Sequence, residues 1–259
     1  MKQASELKQA VAVYDTHYPV WHKPTWNVIF DYLKQNPPSE FIFGGDQFHF
    51  DCISHHTDGM PLYRTRRAYQ NEIEGFEKDV LIPLEKLLPK NCKKIWIIGN
   101  HERFEQDLIE RHPELDGAID HVRLLRLIER EWIIIPLAHA YKLGKLNVIH
   151  GEVLSGIGNQ CGLFPAKKAV ELYAGNVLAG HTHAPQTYTK VSPVEQSNKW
   201  QGWIAPIAGA VNPSYLRNRP TGWLNGFVIV DVFANGQFNL FPIIVINGRA
   251  AYGGKVYGG

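Results

Sequence analysis

Short apolar runs alternate with amphipathic stretches along the first half of the chain. Ala10 to Tyr14 has the length and apolar content of one buried strand. Trp26, Ile29, Phe30 and Leu33 then recur at helical spacing, with Thr25 placed as an N-cap and Pro37 and Pro38 closing the segment. Phe41 to Phe43 reads as a second strand, and Tyr69, Ile73, Phe76 and Val80 as one face of a second helix. Lys94 to Ile98 reads as a third strand, followed by a helical stretch from Phe104 to Arg111. This alternation predicts parallel β-α-β units around a buried sheet.

The second half is richer in strands. Ile133 to Ile135, Leu146 to Ile149 and Val177 to Leu178 are short apolar runs. Phe227 to Phe233 and Phe238 to Ile246 flank Asn235-Gly236, a hairpin signal. A parallel first half joined to a more antiparallel second half predicts an α/β fold of two packed mixed sheets flanked by helices. Residues 1–259 read as a single domain. Two less regular segments, 50–67 and 154–165, read as loops built for substrate. The first holds His55, His56, Arg64, Arg66 and Arg67; the second holds Gly156, Gly158 and Gly162. The end from Tyr252 to Gly259, with its glycines, is expected to fray.

Composition narrows this little. A net charge of +2 neither demands nor excludes a nucleic-acid partner. Cys52, Cys92 and Cys161 form no Cys-x-x-Cys pair, which argues against a disulfide framework or a thiolate zinc site. The polar N-terminus and the lack of a long apolar stretch predict a soluble, cytoplasmic protein with no membrane partner. Twelve histidines change the picture, because imidazole is the commonest metal ligand and several stand beside Asp, Asn or Gly.

Every such cluster follows an apolar run. Asp15 and His17 follow the first strand, Gly45-Asp46 the second, and Gly99-Asn100-His101-Glu102 the third. His150-Gly151 and Gly180-His181-Thr182-His183 follow two strands of the second half. Residues at the carboxyl ends of neighbouring strands converge on one crevice. Two divalent ions need a bridging carboxylate and oxygen and nitrogen ligands around each. Asp46 is the natural bridge; Asp15, His17 and His183 would complete one ion, and Asn100, His150 and His181 the other.

The series Asp15-x-His17, Gly45-Asp46, Gly99-Asn100-His101-Glu102, His150-Gly151 and Gly180-His181-x-His183 resembles the calcineurin-like metallophosphoesterase superfamily in content and order. The resemblance implies a four-layer α/β/β/α sandwich with a dinuclear centre. Manganese leads as the metal pair, with iron, zinc, nickel or cobalt as alternatives. It further implies attack on phosphorus by a metal-bound hydroxide, with His101 stabilising the transition state or protonating the leaving oxygen. One position departs. Many members carry a second Asp three residues after the first, to orient the catalytic histidine; here His49 stands there and Asp51 follows. Either Asp51 takes the orienting role or the role is absent. The Asp-Arg-Gly triplet of protein phosphatases is missing after Gly45-Asp46.

Around this set, Arg103, Asp51, His56 and Arg66 are candidate substrate contacts. Arg64, Arg66 and Arg67 read equally as a solvated helix start. His22, His112, His121 and His139 read as structural. Trp200, Trp203 and Trp223 read as core residues, with base stacking as the other role open to them. The function expected is hydrolysis of phosphate esters, leaning to phosphodiesters such as nucleotides or nucleic acid, a small nuclease included. A phosphomonoesterase is the nearest alternative. A catalytically inactive scaffold of the same fold is the alternative of another class. The sequence leaves the oligomeric state open.

Overall fold

A computed structural model describes residues 7–61, 69–155, 162–195, 199–213, 216 and 219–259. The sequence candidates Arg64, Arg66, Arg67, Gly156, Gly158 and Cys161 lie outside the described residues.

The elements of the first half are β1 (Lys8–Val13), α1 (Lys23–Gln35), β2 (Glu40–Phe43), α2 (Tyr69–Phe76), α3 (Ile82–Glu85), β3 (Lys93–Ile97), α4 (Arg103–Arg111), α5 (His121–Leu124) and β4 (Trp132–Ile135). A π-helical turn, Glu77–Leu81, joins α2 to α3. The second half holds β5 (Tyr141–Leu143), β6 (Leu146–Val148), α6 (Pro165–Tyr173), β7 (Asn176–Ala179), β8 (Gln186–Val191), β9 (Lys199–Ile204), β10 (Gly226–Val232), β11 (Phe238–Ile244), β12 (Ala250–Tyr252) and β13 (Lys255–Tyr257).

Two mixed sheets result. The first has the order β11-β10-β1-β2-β3-β4, and the second β5-β6-β7-β9-β8. In the first, β1 to β4 are parallel, and the β10–β11 hairpin adds antiparallel to β1. In the second, β6, β7 and β9 are parallel, with β5 and β8 as antiparallel edges. The second half is more antiparallel than the first, as expected, and both sheets are mixed. Its hairpin completes the first sheet, while the second sheet has a parallel centre because α6 supplies a crossover.

Strand alternation sorts side chains into layers. Along β1, Val11 and Val13 pack toward Trp26, Ile29, Leu33 and Phe76 of the helices. Ala10 and Ala12 face the other way, against Leu146, Val148 and Leu178 of the second sheet. Beyond that sheet, Val177, Ala179 and Ile204 pack on Ala166 and Ala169 of α6. Helices, sheet, sheet and helix form the four layers.

Two local expectations fail. The residue capping α1 is His22, not Thr25, because Pro24 fits the first turn and starts the helix earlier. Thr25 lies inside, its hydroxyl 2.8 Å from the His22 ring. The C-terminal end does not fray either: β12 and β13 form a hairpin whose Tyr257 is buried. Asn36 donates to the Tyr257 hydroxyl at 3.1 Å, and the Gly258 N–H donates to Asp31 at 2.8 Å. Glycine content marked the turns there but not the anchor.

Near the site, a buried polar network ties α2, α4 and α5 together. Glu105 accepts from the Tyr69 hydroxyl at 2.5 Å and from the His121 N–H at 3.0 Å, and its other oxygen lies 2.7 Å from His121 Nδ1. Burial opposes charge on His121, but Glu105 more than offsets it and raises its pKa above the ordinary 6.5. The ion pair therefore stabilises the fold fully below the unfolded value and fades as pH rises through the raised one. His121→Phe should cost about 3 kcal/mol at pH 6, the scale of a buried pair losing one partner. Urea unfolding of both proteins should show the gap narrowing at pH above the raised value; a pH-independent gap would mean that the pair carries no charge.

Candidate metal centre

Five strands deliver the site. β1, β2 and β3 of the first sheet and β6 and β7 of the second all end at the same pole. The loops after them carry Asp15 and His17, Asp46, Asn100 and His101, His150, and His181 and His183 in turn. The Asp15 N–H donates to the Gly45 carbonyl and the His17 N–H to the Asp46 carbonyl, which sews the first two loops together. The Gly180 N–H donates to the His150 carbonyl and joins the last two.

Among the described residues, two groups of side chains have potential ligand atoms within 4.8 Å of one another at the predicted positions, Asp15, His17 and His183, and Asp46, His150 and His181, while His17 also forms a third such group with His49 and His101. In the first, His17 Nε2 lies 3.1 Å from His183 Nε2, which lies 3.3 Å from Asp15 Oδ1. In the second, His150 Nε2 lies 3.3 Å from Asp46 Oδ2 and 2.9 Å from Asn100 Oδ1. The same Asp46 oxygen lies 3.9 Å from His17 Nε2 and so faces both groups. The seven residues named from the sequence are brought together.

The protonation of two of the rings fits a ligand role. Burial and the imidazole of His101 hold His17 well below its ordinary pKa, despite Asp46. Burial and His150 push His181 down to about 4. Both rings therefore stay neutral at pH 7, as metal ligation requires. Burial opposes charge on Asp46, but His150, His101 and His17 more than offset it and hold its carboxyl well below the usual range. Burial likewise opposes charge on His150, and Asp46 and Asp15 overcome it, raising His150 to about 10. Ligation by His150 would therefore have to displace its proton.

The backbone is bent to make this set. Asp15, His17, Asp46, His181 and His183 all adopt left-handed conformations, with φ of 51°, 49°, 54°, 66° and 62°. Each such non-glycine residue costs on the order of 1–3 kcal/mol. Two glycines make room. A Cβ on Gly99 would lie 2.2 Å from Asp46 Oδ1, and one on Gly180 2.7 Å from Asp15 Oδ2.

Glu102 belongs to the motif quoted from the sequence but had no role assigned. It is buried, and its carboxylate accepts four main-chain N–H groups: Gln47 at 2.7 Å, Gly99 at 2.8 Å, and Asp46 and Phe48 at 3.1 Å. It clamps the second motif loop onto the third. An acidic residue inside a run of site residues was the only signal. Ser155 is a second missed neighbour, its hydroxyl 2.7 Å from His181 Nε2.

His101 is only partly buried, its side chain 21% exposed and its Nε2 3.9 Å from Asp46 Oδ2. Its Nδ1 lies 2.7 Å from the main-chain carbonyl of His49. A carbonyl can only accept, so Nδ1 carries a proton and Nε2 is the atom that gives or takes one. Asp51 is the residue the sequence offers for orienting His101. Its carboxylate lies 3.0 Å from His49 Nε2, and the orienting contact to His101 comes from the backbone of His49. The other candidates scatter. Arg103 is exposed and pairs with Asp107 on α4 at 3.3 Å. His56 is exposed on a 3-10 turn, its ring 5.8 Å from Phe104, which in turn lies 5.0 Å from His101.

No protein-family model matches the chain, and no curated protein does. Solved structures do. Vacuolar Protein Sorting 29 from Cryptosporidium parvum aligns at 12% identity and a TM-score of 0.49, over 98% of this chain and 99% of that one. A metallophosphoesterase from Sphaerobacter thermophilus aligns at 14% identity and a TM-score of 0.43, over 93% and 88%. A 5'-nucleotidase precursor from Thermus thermophilus aligns at 11% identity and a TM-score of 0.39, over 92% and 55%. At these identities the likenesses carry no activity, ligand or partner over to this chain. The superfamily resemblance rests on the ordered sequence motifs, and the structure adds that their residues meet at one pole of two mixed sheets.

Proposed function

We propose that the protein is a phosphoesterase dependent on two divalent metal ions, manganese foremost, acting on phosphodiesters of the nucleotide type. The carrying observation is the placement of Asp46, whose one carboxylate oxygen faces two separate sets of ligand atoms. Asp15, His17 and His183 would hold one ion, and Asn100, His150 and His181 the other. Such a pair, when bound, lowers the pKa of a coordinated water and neutralises charge on phosphate oxygens. The chain's residues supply the rest. The His49 carbonyl fixes the His101 tautomer, and His101 Nε2 offers a proton to the departing oxygen. Glu102 holds the loops of Asp46 and Asn100 in register.

Metal analysis combined with hydrolysis of bis-p-nitrophenyl phosphate and p-nitrophenyl phosphate tests this reading. Two ions per chain and faster diester turnover are expected. Monoester preference would move the reading to a phosphatase, and absence of both metal and turnover after reconstitution would favour a scaffold. His101→Ala should keep both metals and lose about 10²- to 10⁴-fold in kcat, the range for a general acid. Wild-type turnover in that variant would remove His101 from the chemistry.

A further inference from the structure

Three tryptophans were left between core packing and stacking on a base, and the structure separates them. Trp203 is buried between the sheets, among Tyr14, Leu178 and Val228. Trp200 lies on the second sheet with Lys190 over its ring at 5.6 Å. Trp223 stands at the metal centre. Its ring centroid lies 4.3 Å from that of His183, at an interplanar angle of 82°. It is half-buried and belongs to none of the three apolar clusters found among the described residues.

The segment that carries it has no regular secondary structure, yet it is tied down on both sides. Thr221 donates its hydroxyl to the Val211 carbonyl at 3.1 Å, and the Ile207 N–H donates to the Leu224 carbonyl at 2.9 Å. Asn225 is buried and donates to the carbonyls of Ile207 and Gly209. The segment 207–209 bonded to these residues is joined to the first metal loop, since the Ala208 N–H donates to the Tyr14 carbonyl. A large indole is thus fixed beside the ligand His183, with part of its surface in water. Leaving that surface wet forgoes apolar burial, and a flat partner entering with the phosphate would recover it.

We infer that Trp223 is a stacking platform for an aromatic group esterified to the substrate phosphate, which makes a nucleoside the substrate class. This rests on the phosphoesterase reading of the metal centre. A base stacked on an indole gains enough to shift affinity tenfold or more, and every base has a face to offer. The platform therefore selects for a nucleoside over an aliphatic ester without selecting one base.

Two diesters with the same leaving group test it: thymidine 5'-p-nitrophenyl phosphate and methyl p-nitrophenyl phosphate. The wild-type protein should prefer the thymidine ester in kcat/KM, mainly through KM. Trp223→Ala should reduce that preference about tenfold with the metal content unchanged, and Trp223→Phe should keep most of it. A loss of metal with an equal fall on both esters would overturn the inference and make Trp223 only a buttress of His183. An unchanged preference in Trp223→Ala would overturn it as well. Should the metal-loaded wild type hydrolyse neither ester, the phosphoesterase reading fails, and binding decides the platform alone. Thymidine 5'-monophosphate should then quench the fluorescence of the wild type more than that of Trp223→Phe, and equal quenching would sink it.

Discussion

Replacing Asp46 by Asn is expected to weaken metal binding at both positions at once. The exchange keeps the size of the side chain and removes one negative charge. Asp46 Oδ1 accepts the His101 N–H at 3.0 Å, while Oδ2 faces His150 and His17. An amide can still serve the first contact with its oxygen, but then its NH2 group points at the ions. Affinity should fall by more than about a hundredfold at each position, beyond what loss of an outer-shell partner costs. Turnover should fall at least about 10³-fold, because a metal pair supplies several kcal/mol to the transition state. The informative control is Asp15→Asn, since the candidate ligand atoms of Asp15 group with those of His17 and His183 and not with those of the second set. Calorimetric titration with manganese should show one weakened position in that variant and two in Asp46→Asn. Two occupied positions at wild-type affinity in Asp46→Asn would rule out the bridge.

Glu102→Gln should damage both fold and site, although it is nearly isosteric. Both carboxylate oxygens accept from two N–H groups each: Gln47 and Phe48 on one, Asp46 and Gly99 on the other. A glutamine presents one oxygen and one NH2, so one pair of buried N–H groups would face another donor. Each unsatisfied buried group costs about 1–3 kcal/mol. A loss of about 3 kcal/mol is expected, a large share of a typical stability of roughly 5–15 kcal/mol. Urea unfolding in the presence of a chelator would read that loss apart from metal binding. Metal titration should then show weaker binding, because Asp46 and Asn100 sit on the two loops that Glu102 joins. A variant with wild-type stability and metal affinity would mean that the loops hold themselves.

The sequence told most where a physical rule links residue type to position. Apolar runs ending in Asp, Asn or His placed seven polar residues at strand ends, and the strands carry them to one pole. Asn235-Gly236 located the hairpin, though not the sheet it joins. Strands β8 and β9 escaped notice. Along β8 (QTYTKV), exposed and half-buried positions alternate on an edge strand, so no apolar run announces it. The tie that fixes His101 was illegible for another reason. It is the carbonyl of His49, a group every residue has, and only the bend of the chain after Asp46 aims it. Glu102 was visible as a letter in the motif, but its four partners are main-chain N–H groups from two loops.

The left-handed backbone at Asp15, His17, Asp46, His181 and His183 bears on what metal binding does to stability. Glycine occupies that conformation without penalty, so exchange at any of the five would relax the fold while discarding a donor atom. The chain carries the costlier residue at all five places, and each of the five offers a side-chain donor atom to a candidate ligand group. A cation held by those donors would offset the strain, so loading with metal should raise the stability of this chain more than a site on relaxed backbone would.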